Sequence, residues 1–251
     1  MGLGGSGRRR HSGGMNAVPK PHLATPAPRA RDDVAGVILA GGLSRRLGGG
    51  DKCLRSLDGR PILAHVAARL RPQVRILALN ANGPPGRFAA AGLKVLPDRV
   101  PGNPGPLAGI LAGLLWARRQ APALGWLLSV PGDAPFLPLD LAARLKAAQA
   151  ASGASIAVAA SAGRRHPVAA LWALDLAPVL RRALVREAVH KVERFIERYP
   201  NVTVSWPDAP IDPFFNINRP TDLLAAERQI SKMAEARTAR NRGTAGRQGG
   251  T

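Results

Sequence analysis

Cysteine is nearly absent. Cys53 is the one thiol in 251 residues, so an internal disulfide is excluded, and no Cys/His grouping has the spacing of a zinc site. Aromatic residues are scarce as well, at 4% with a single Tyr and five Phe. That leaves no interleaving of basic and aromatic residues of the kind on which single-stranded nucleic acids stack. No apolar run approaches the length of about 18 residues that a membrane span needs. The basic N-terminus, with Arg8-Arg9-Arg10, lacks the apolar stretch of a secretory signal. The expectation is a soluble cytoplasmic protein without a membrane partner. Acidic residues are also few, 16 against 36 Lys and Arg, giving a net charge of +20 and a pI near 11.8. Such a chain attracts anions. Without stacking aromatics, a small anionic ligand suits that charge at least as well as nucleic acid, and nucleic acid is not the expected partner.

What is abundant is glycine and proline, and they divide the chain. Residues 1–33 are rich in Gly, Pro, Ser and Arg with hardly any apolar pattern, and read as a disordered basic tail. Residues 231–251 turn polar, Arg-rich and Gly-rich again and read as a second tail. Between them, 34–230 is long enough to bury a substantial core as one domain. Apolar runs predict strands at 34–40, 74–79, 93–96 and 126–130, alternating with helical periodicity at 61–70, 87–91, 107–119 and 141–150, the last with Asp140 as a candidate cap. Alternation at this spacing predicts an α/β fold whose mostly parallel sheet carries helices on both faces, a three-layer α/β/α Rossmann-like arrangement. The second half adds strands at 155–160, 168–173 and 202–206, a turn at 163–167, and helices at 175–184, 185–198 and 221–229.

In a parallel sheet, ligands sit beyond the carboxyl ends of the strands. The first strand ends in Leu39-Ala40-Gly41-Gly42, followed by a glycine-rich loop that carries Arg45, Arg46 and Lys52. Exposed backbone amides with fixed cations make a phosphate site. Two common phosphate loops are excluded, because Asp51-Lys52-Cys53 is not the Gly-Lys-Ser/Thr ending of a Walker A loop and Gly-x-Gly-x-x-Gly is missing. Asn80, Asp98 and Asp133 each follow a predicted strand. Asp133 is placed either to hold Mg²⁺ against a triphosphate or to serve as a turn residue. Asp98 suits a metal, a nucleoside or a turn, and Asn80 a base or ribose. Asn216 and Asn218 share one face of an extended segment, although Asn218 is equally placed to cap the final helix. His166 stands with Arg164 and Arg165 either as an anion site or as ordinary turn polarity.

Taken in order, Leu39-Ala40-Gly41-Gly42, Ser44-x-Arg46-Leu47-Gly48 and Asp51-Lys52 resemble the signature loop of small nucleotidyltransferases. Asn80-Ala81-Asn82, Asp98, Gly105-Pro106-Leu107-Ala108-Gly109, Pro131-Gly132-Asp133-Ala134-Pro135-Phe136, His166-Pro167 and Asn216-Ile217-Asn218 resemble the molybdenum cofactor guanylyltransferases in particular. Leu47, where Met is usual, and Gly132, where Cys often sits, depart from the pattern without removing a charge. The resemblance implies transfer of GMP from GTP to molybdenum-bearing molybdopterin, with Mg²⁺ as cofactor and transient contact with the molybdoenzymes or chaperones that receive the product. It implies that Leu39, Ala40, Gly41, Lys52, Asn80, Asp98 and Asp133 bind the nucleotide, with Asp133 also on the metal. Arg46, Lys52 and Asp133 would be catalytic, and His166, Asn216 and Asn218 would face the pterin. Two rivals stay open: a relative using CTP, against which Gly42 speaks, or acting on a sugar or alcohol phosphate, and a non-enzymatic binder driven by the basic tails.

Overall fold

The computed structural model describes residues 33–41, 51–102 and 105–245, together with Met1, with the backbone alone at 233–234 and 236–245. The apolar run Val34–Leu39 is strand β1, and all six of its residues are buried, as a parallel strand covered on both faces must be. The turn that Asp58-Gly59 signals in the sequence joins a small hairpin, β2 (Ser56–Leu57) with β3 (Arg60–Pro61). It closes through Asp58 and Gly59 at φ 50° and 70°, the left-handed conformation that a two-residue hairpin requires. Helix α1 (Ile62–Leu70) then buries Ile62, Leu63, Val66, Ala67 and Leu70, the face that the periodicity marks.

Next come β4 (Ile76–Asn80), a 3-10 segment (Pro85–Ala91), β5 (Lys94–Leu96), α2 (Pro106–Gln120), β6 (Trp126–Pro131) and α3 (Leu141–Ser152). The second half supplies β7 (Ile156–Ser161), β8 (Arg164–Ala173), α4 (Ala177–Arg186), α5 (Val192–Ile196), β9 (Asn201–Trp206) and α6 (Pro220–Ala245). Seven strands form one sheet in the order β5-β4-β1-β6-β8-β7-β9. β1 is parallel to both β4 and β6, β5 is parallel to β4, and β9 is parallel to β7. Only β8 is reversed, running antiparallel to β6 and β7. One face of the sheet is covered by α1, α3 and the segment around Phe214 and Ile217. The other is covered by α2, α4 and α5. The three-layer, mostly parallel architecture is the one that the strand–helix alternation predicts.

Several local expectations are corrected. Arg164–Pro167 lie in β8, not in a turn; the turn is Ala162-Gly163, at φ 50° and 71°. Pro167 has no amide for the ladder, and the register between β7 and β8 shifts at Val158/Ala159 to pass it. The helix expected over 185–198 is broken, since α4 ends at Arg186 and Ala188 adopts φ 50° before α5 begins. α6 continues through Ala245, so residues 231–245 are helical where a disordered tail was expected. Their Ala, Lys, Met, Glu and Arg content is polar yet strongly helix-forming. Asp140 makes no capping bond, and its Oδ1 instead accepts the Trp206 indole N–H at 2.9 Å. Among the described residues no helix is long and apolar enough to cross a membrane.

Candidate active site

The carboxyl ends of β4, β1 and β6 hold the start of the glycine loop. The Ala40 amide donates to the Asn80 carbonyl and the Gly132 amide to the Leu39 carbonyl, each at 2.9 Å. Leu39, Ala40 and Gly41 are thereby pinned along the floor of a cavity of about 1110 Å³. Among the described residues nothing lies within 4 Å of the place a Cβ on Gly41 would take, so its backbone can be approached closely by a ligand. Arg46 lies outside the described residues, as do Arg45 and Gly42.

Asp98 faces the cavity from the end of β5 and is held on both oxygens. Asn80 Nδ2 donates to Asp98 Oδ1 at 2.9 Å and to the Leu96 carbonyl at 3.0 Å. Asn82 Nδ2 donates to Asp98 Oδ2 at 2.7 Å, and Asn82 Oδ1 accepts the Asp98 amide at 2.9 Å. Asn82 is a site residue that spacing alone does not assign; its place in Asn80-Ala81-Asn82 is the available signal. Asn80 Oδ1 lies against α2, where a Cβ on Gly109 would come within 2.2 Å of it. Glycine at 109 is therefore what lets Asn80 reach its buried position.

Across the floor, Lys52 Nζ forms an ion pair with Asp133 and donates to Asn218 Oδ1 at 2.6 Å. Three residues far apart in sequence thus meet at one point. Asp133 is steadied through its carbonyl, which accepts the Ile217 amide at 3.0 Å. Asn218 does not cap α6 with its side chain, since Asp222 Oδ2 does so by accepting the Asn218 and Arg219 amides at 2.8 Å each. Asn216 lines the same cavity, and its buried Oδ1 has no hydrogen-bond partner among the described residues. An orphaned buried acceptor calls for a donor, and a bound ligand can supply one. Beside this cluster Arg87 pairs with Asp51 at 2.6 Å. Cys53 beneath it is inert, because burial first and the Asp51 charge second push its thiol up to about 12.

The far wall comes from β7, β8 and the segment before α6. His166 stacks on Phe214 with ring centroids 4.7 Å apart. Its Nε2 lies 2.7 Å from Ser161 Oγ, which donates to Asp212 Oδ1 at 2.7 Å. Burial holds the imidazole below its ordinary 6.5, Asp212 opposes that shift and Arg164 reinforces it. Arg165 is turned to Glu193, 3.5 Å away, and to Asn201 Oδ1 at 3.1 Å. Ser161, Asp212 and Phe214 carry no sequence motif that would have nominated them. Among the described residues no group of three His, Cys, Asp or Glu is poised to hold a metal. Asp133 offers a single carboxylate at the cavity, and Mg²⁺ takes one or two carboxylates plus phosphate and water oxygens. The donor set fits an ion that arrives with a nucleotide.

A family model described as the MobA-like NTP transferase domain matches residues 36–202. A protein named molybdenum cofactor guanylyltransferase from Rhodopseudomonas palustris (strain BisB5) is 56% identical over 207 residues, covering 82% of this chain and 94% of its own length. One of the same name from Bradyrhizobium sp. (strain ORS 278) is 57% identical over 195 residues, covering 78% and 92%. Among solved structures, molybdopterin-guanine dinucleotide biosynthesis protein A from Archaeoglobus fulgidus is similar with a TM-score of 0.61 at 24% identity, over 79% of this chain and 99% of that one. The 4-diphosphocytidyl-2C-methyl-D-erythritolsynthase of Anaerococcus prevotii has a TM-score of 0.61 at 12% identity, over 80% and 96%. At these identities the two structures speak for the fold alone.

Proposed function

This chain belongs to the MobA-like NTP transferase family, and from that premise we propose that it transfers GMP from GTP to the terminal phosphate of molybdenum-bearing molybdopterin. The observation that carries the reading is that Lys52 joins Asn218 to Asp133, which lines a cavity that also reaches Asn80, Asp98 and His166. At about 1110 Å³ the cavity lies at the upper end of single-ligand pockets, which run to roughly 1,000 Å³. Room for two substrates is what a group transfer between them requires.

An oxygen of the acceptor phosphate attacks the α-phosphorus of GTP and forms the new P–O bond. The bond from the α-phosphorus to the bridging oxygen breaks, and pyrophosphate leaves with the electron pair. A phosphate monoester is largely dianionic at pH 7, with its second pKa near about 6. No strong general base is needed. Lys52 would neutralise charge on the departing phosphates. Asp133 is the residue that would hold Mg²⁺, and the ion, when bound, polarises the α-phosphate and orients the leaving group. Leu39, Ala40 and Gly41 would seat the nucleoside on backbone, and the clamped Asp98 would accept from it. Asn216 and Asn218 would line the acceptor side. Hand-over to a molybdoenzyme or its chaperone is part of the same proposal.

The decisive experiment incubates the protein with Mg²⁺, molybdenum-molybdopterin and labelled GTP, CTP or ATP in turn. GMP transfer to the pterin is expected, with little from the others. A preference for CTP would sink the guanine assignment.

A further inference from the structure

Ser161 and Asp212 form a relay behind His166 that the transfer chemistry does not use. Ser161, the last residue of β7, is 2% exposed, and its hydroxyl has one proton to donate. Asp212 Oδ1, 2.7 Å away, belongs to a carboxylate and can only accept. The same oxygen takes the Phe214 amide at 2.9 Å, which fixes the carboxylate's orientation. Ser161 Oγ therefore gives its proton to Asp212 and meets His166 Nε2, at 2.7 Å, as an acceptor. The hydrogen between them must come from Nε2. Stacking on Phe214, itself edge-on to Trp206 at 5.6 Å, keeps the ring from turning away. A neutral imidazole with its hydrogen on Nε2 has a lone pair on Nδ1.

We infer that Ser161 and Asp212 are positioning residues that lock His166 in the Nε2–H tautomer, so that Nδ1 accepts a hydrogen bond from an N–H of the acceptor substrate's nitrogen heterocycle. The inference rests on the proposed transfer for the identity of that substrate, while the lock itself is a property of the free protein. Charge on the wall argues the same way. Arg164 borders the cavity beside His166, while Arg165 is engaged by Glu193 and Asn201, so a cation is at hand for a phosphate and a neutral acceptor is the group it does not provide. Asp212 favours the imidazolium, but burial and Arg164 work against it, and the ring stays neutral at pH 7. A pterin ring, with several N–H donors, matches a lone pair; a phosphate does not.

Two readouts on the full-length protein test this. Long-range ¹H–¹⁵N spectra of the free protein, with the His166 signals identified by their loss in His166→Gln, are expected to show Nε2–H in the wild type. Ser161→Ala and Asp212→Ala should populate the Nδ1–H form. In turnover, both variants should raise KM for molybdenum-molybdopterin about tenfold, the worth of one good hydrogen bond, leaving KM for GTP and kcat near wild type. A wild-type ring carrying Nδ1–H overturns the lock, as does Ser161→Ala with an unchanged tautomer. Equal rises in both KM values overturn the assignment of Nδ1 to the acceptor. A wild type with the expected tautomer that transfers no GMP defeats the proposed function and leaves the lock standing.

Discussion

Replacing Asn82 with alanine would remove the N–H on Asp98 Oδ2 and the acceptor of the Asp98 amide, leaving that carboxylate to Asn80 alone. Steady-state kinetics should find KM for GTP raised about five- to tenfold with kcat little changed, because a ground-state binding group has lost its orientation. Lys52→Ala and Asp133→Asn act on the reacting phosphates instead, and each is expected to cut kcat/KM by about a hundredfold or more while the circular dichroism spectrum is kept. Unchanged turnover in both would remove the mechanism. His166 makes a separate mark on stability. Its folded-state pKa is depressed below 6.5, so below that pH the unfolded chain takes up the proton first and the native state loses ground. Thermal melts should therefore show stability falling from just below pH 6.5 until the folded ring is itself protonated, with a shallower fall in His166→Gln. That Asn80, Asp98 and Asp133 meet at one cavity was legible because each follows a strand, whereas Lys52 was read from its place after the glycine loop. Ser161 and Asp212 were not, since their roles arise from a contact spanning 51 residues that no local pattern encodes.

α2 lies close on the sheet, and the distance is set by small residues. A Cβ on Gly109 would stand 2.2 Å from Asn80 Oδ1 and 2.9 Å from Leu39 Cδ2. Gly109→Ala should thus lower stability by about 1–3 kcal/mol, as overpacked cores do, and weaken GTP binding as well, because Asn80 must yield. A melt combined with nucleotide titration separates that from a purely structural loss, which would leave affinity intact. The helices and strands were largely legible, since β1 is a continuous apolar run and α1 keeps strict helical periodicity. Asp58-Gly59 and Gly163 read as turn residues, but the backbone conformation escaped: positive φ makes a two-residue hairpin of the first, ends the second before Arg164 and breaks the helix at Ala188. The polar reach of α6 escaped because helix propensity without an apolar face resembles a tail.

At the scale of the whole chain, net charge is +20, and both proposed substrates are anions. Encounter should be electrostatically steered, so kcat/KM for GTP is expected to fall as ionic strength rises past physiological values, where screening shortens to about 8 Å. Deleting residues 1–32 should leave turnover at saturating substrate unchanged, measured side by side with the full chain; a large loss would give the tail a part in the reaction. The sheet class was legible from alternation, but the reversal of β8 was not, because pairing partners are chosen by packing between distant segments. That reversal has a mechanical meaning. β8 starts where β4, β1 and β6 finish, so Arg164 and His166 stand at the rim that holds Leu39, Asn80 and Asp133. Laid parallel, ten residues of strand would carry them roughly 30 Å to the opposite rim. The wall of Leu39, Asn80 and Asp133 and the wall of Arg164 and His166 are instead parts of one hydrogen-bonded plate, so in the proposed transfer the gap between the two reacting phosphates would be gauged by strand spacing rather than by a hinge.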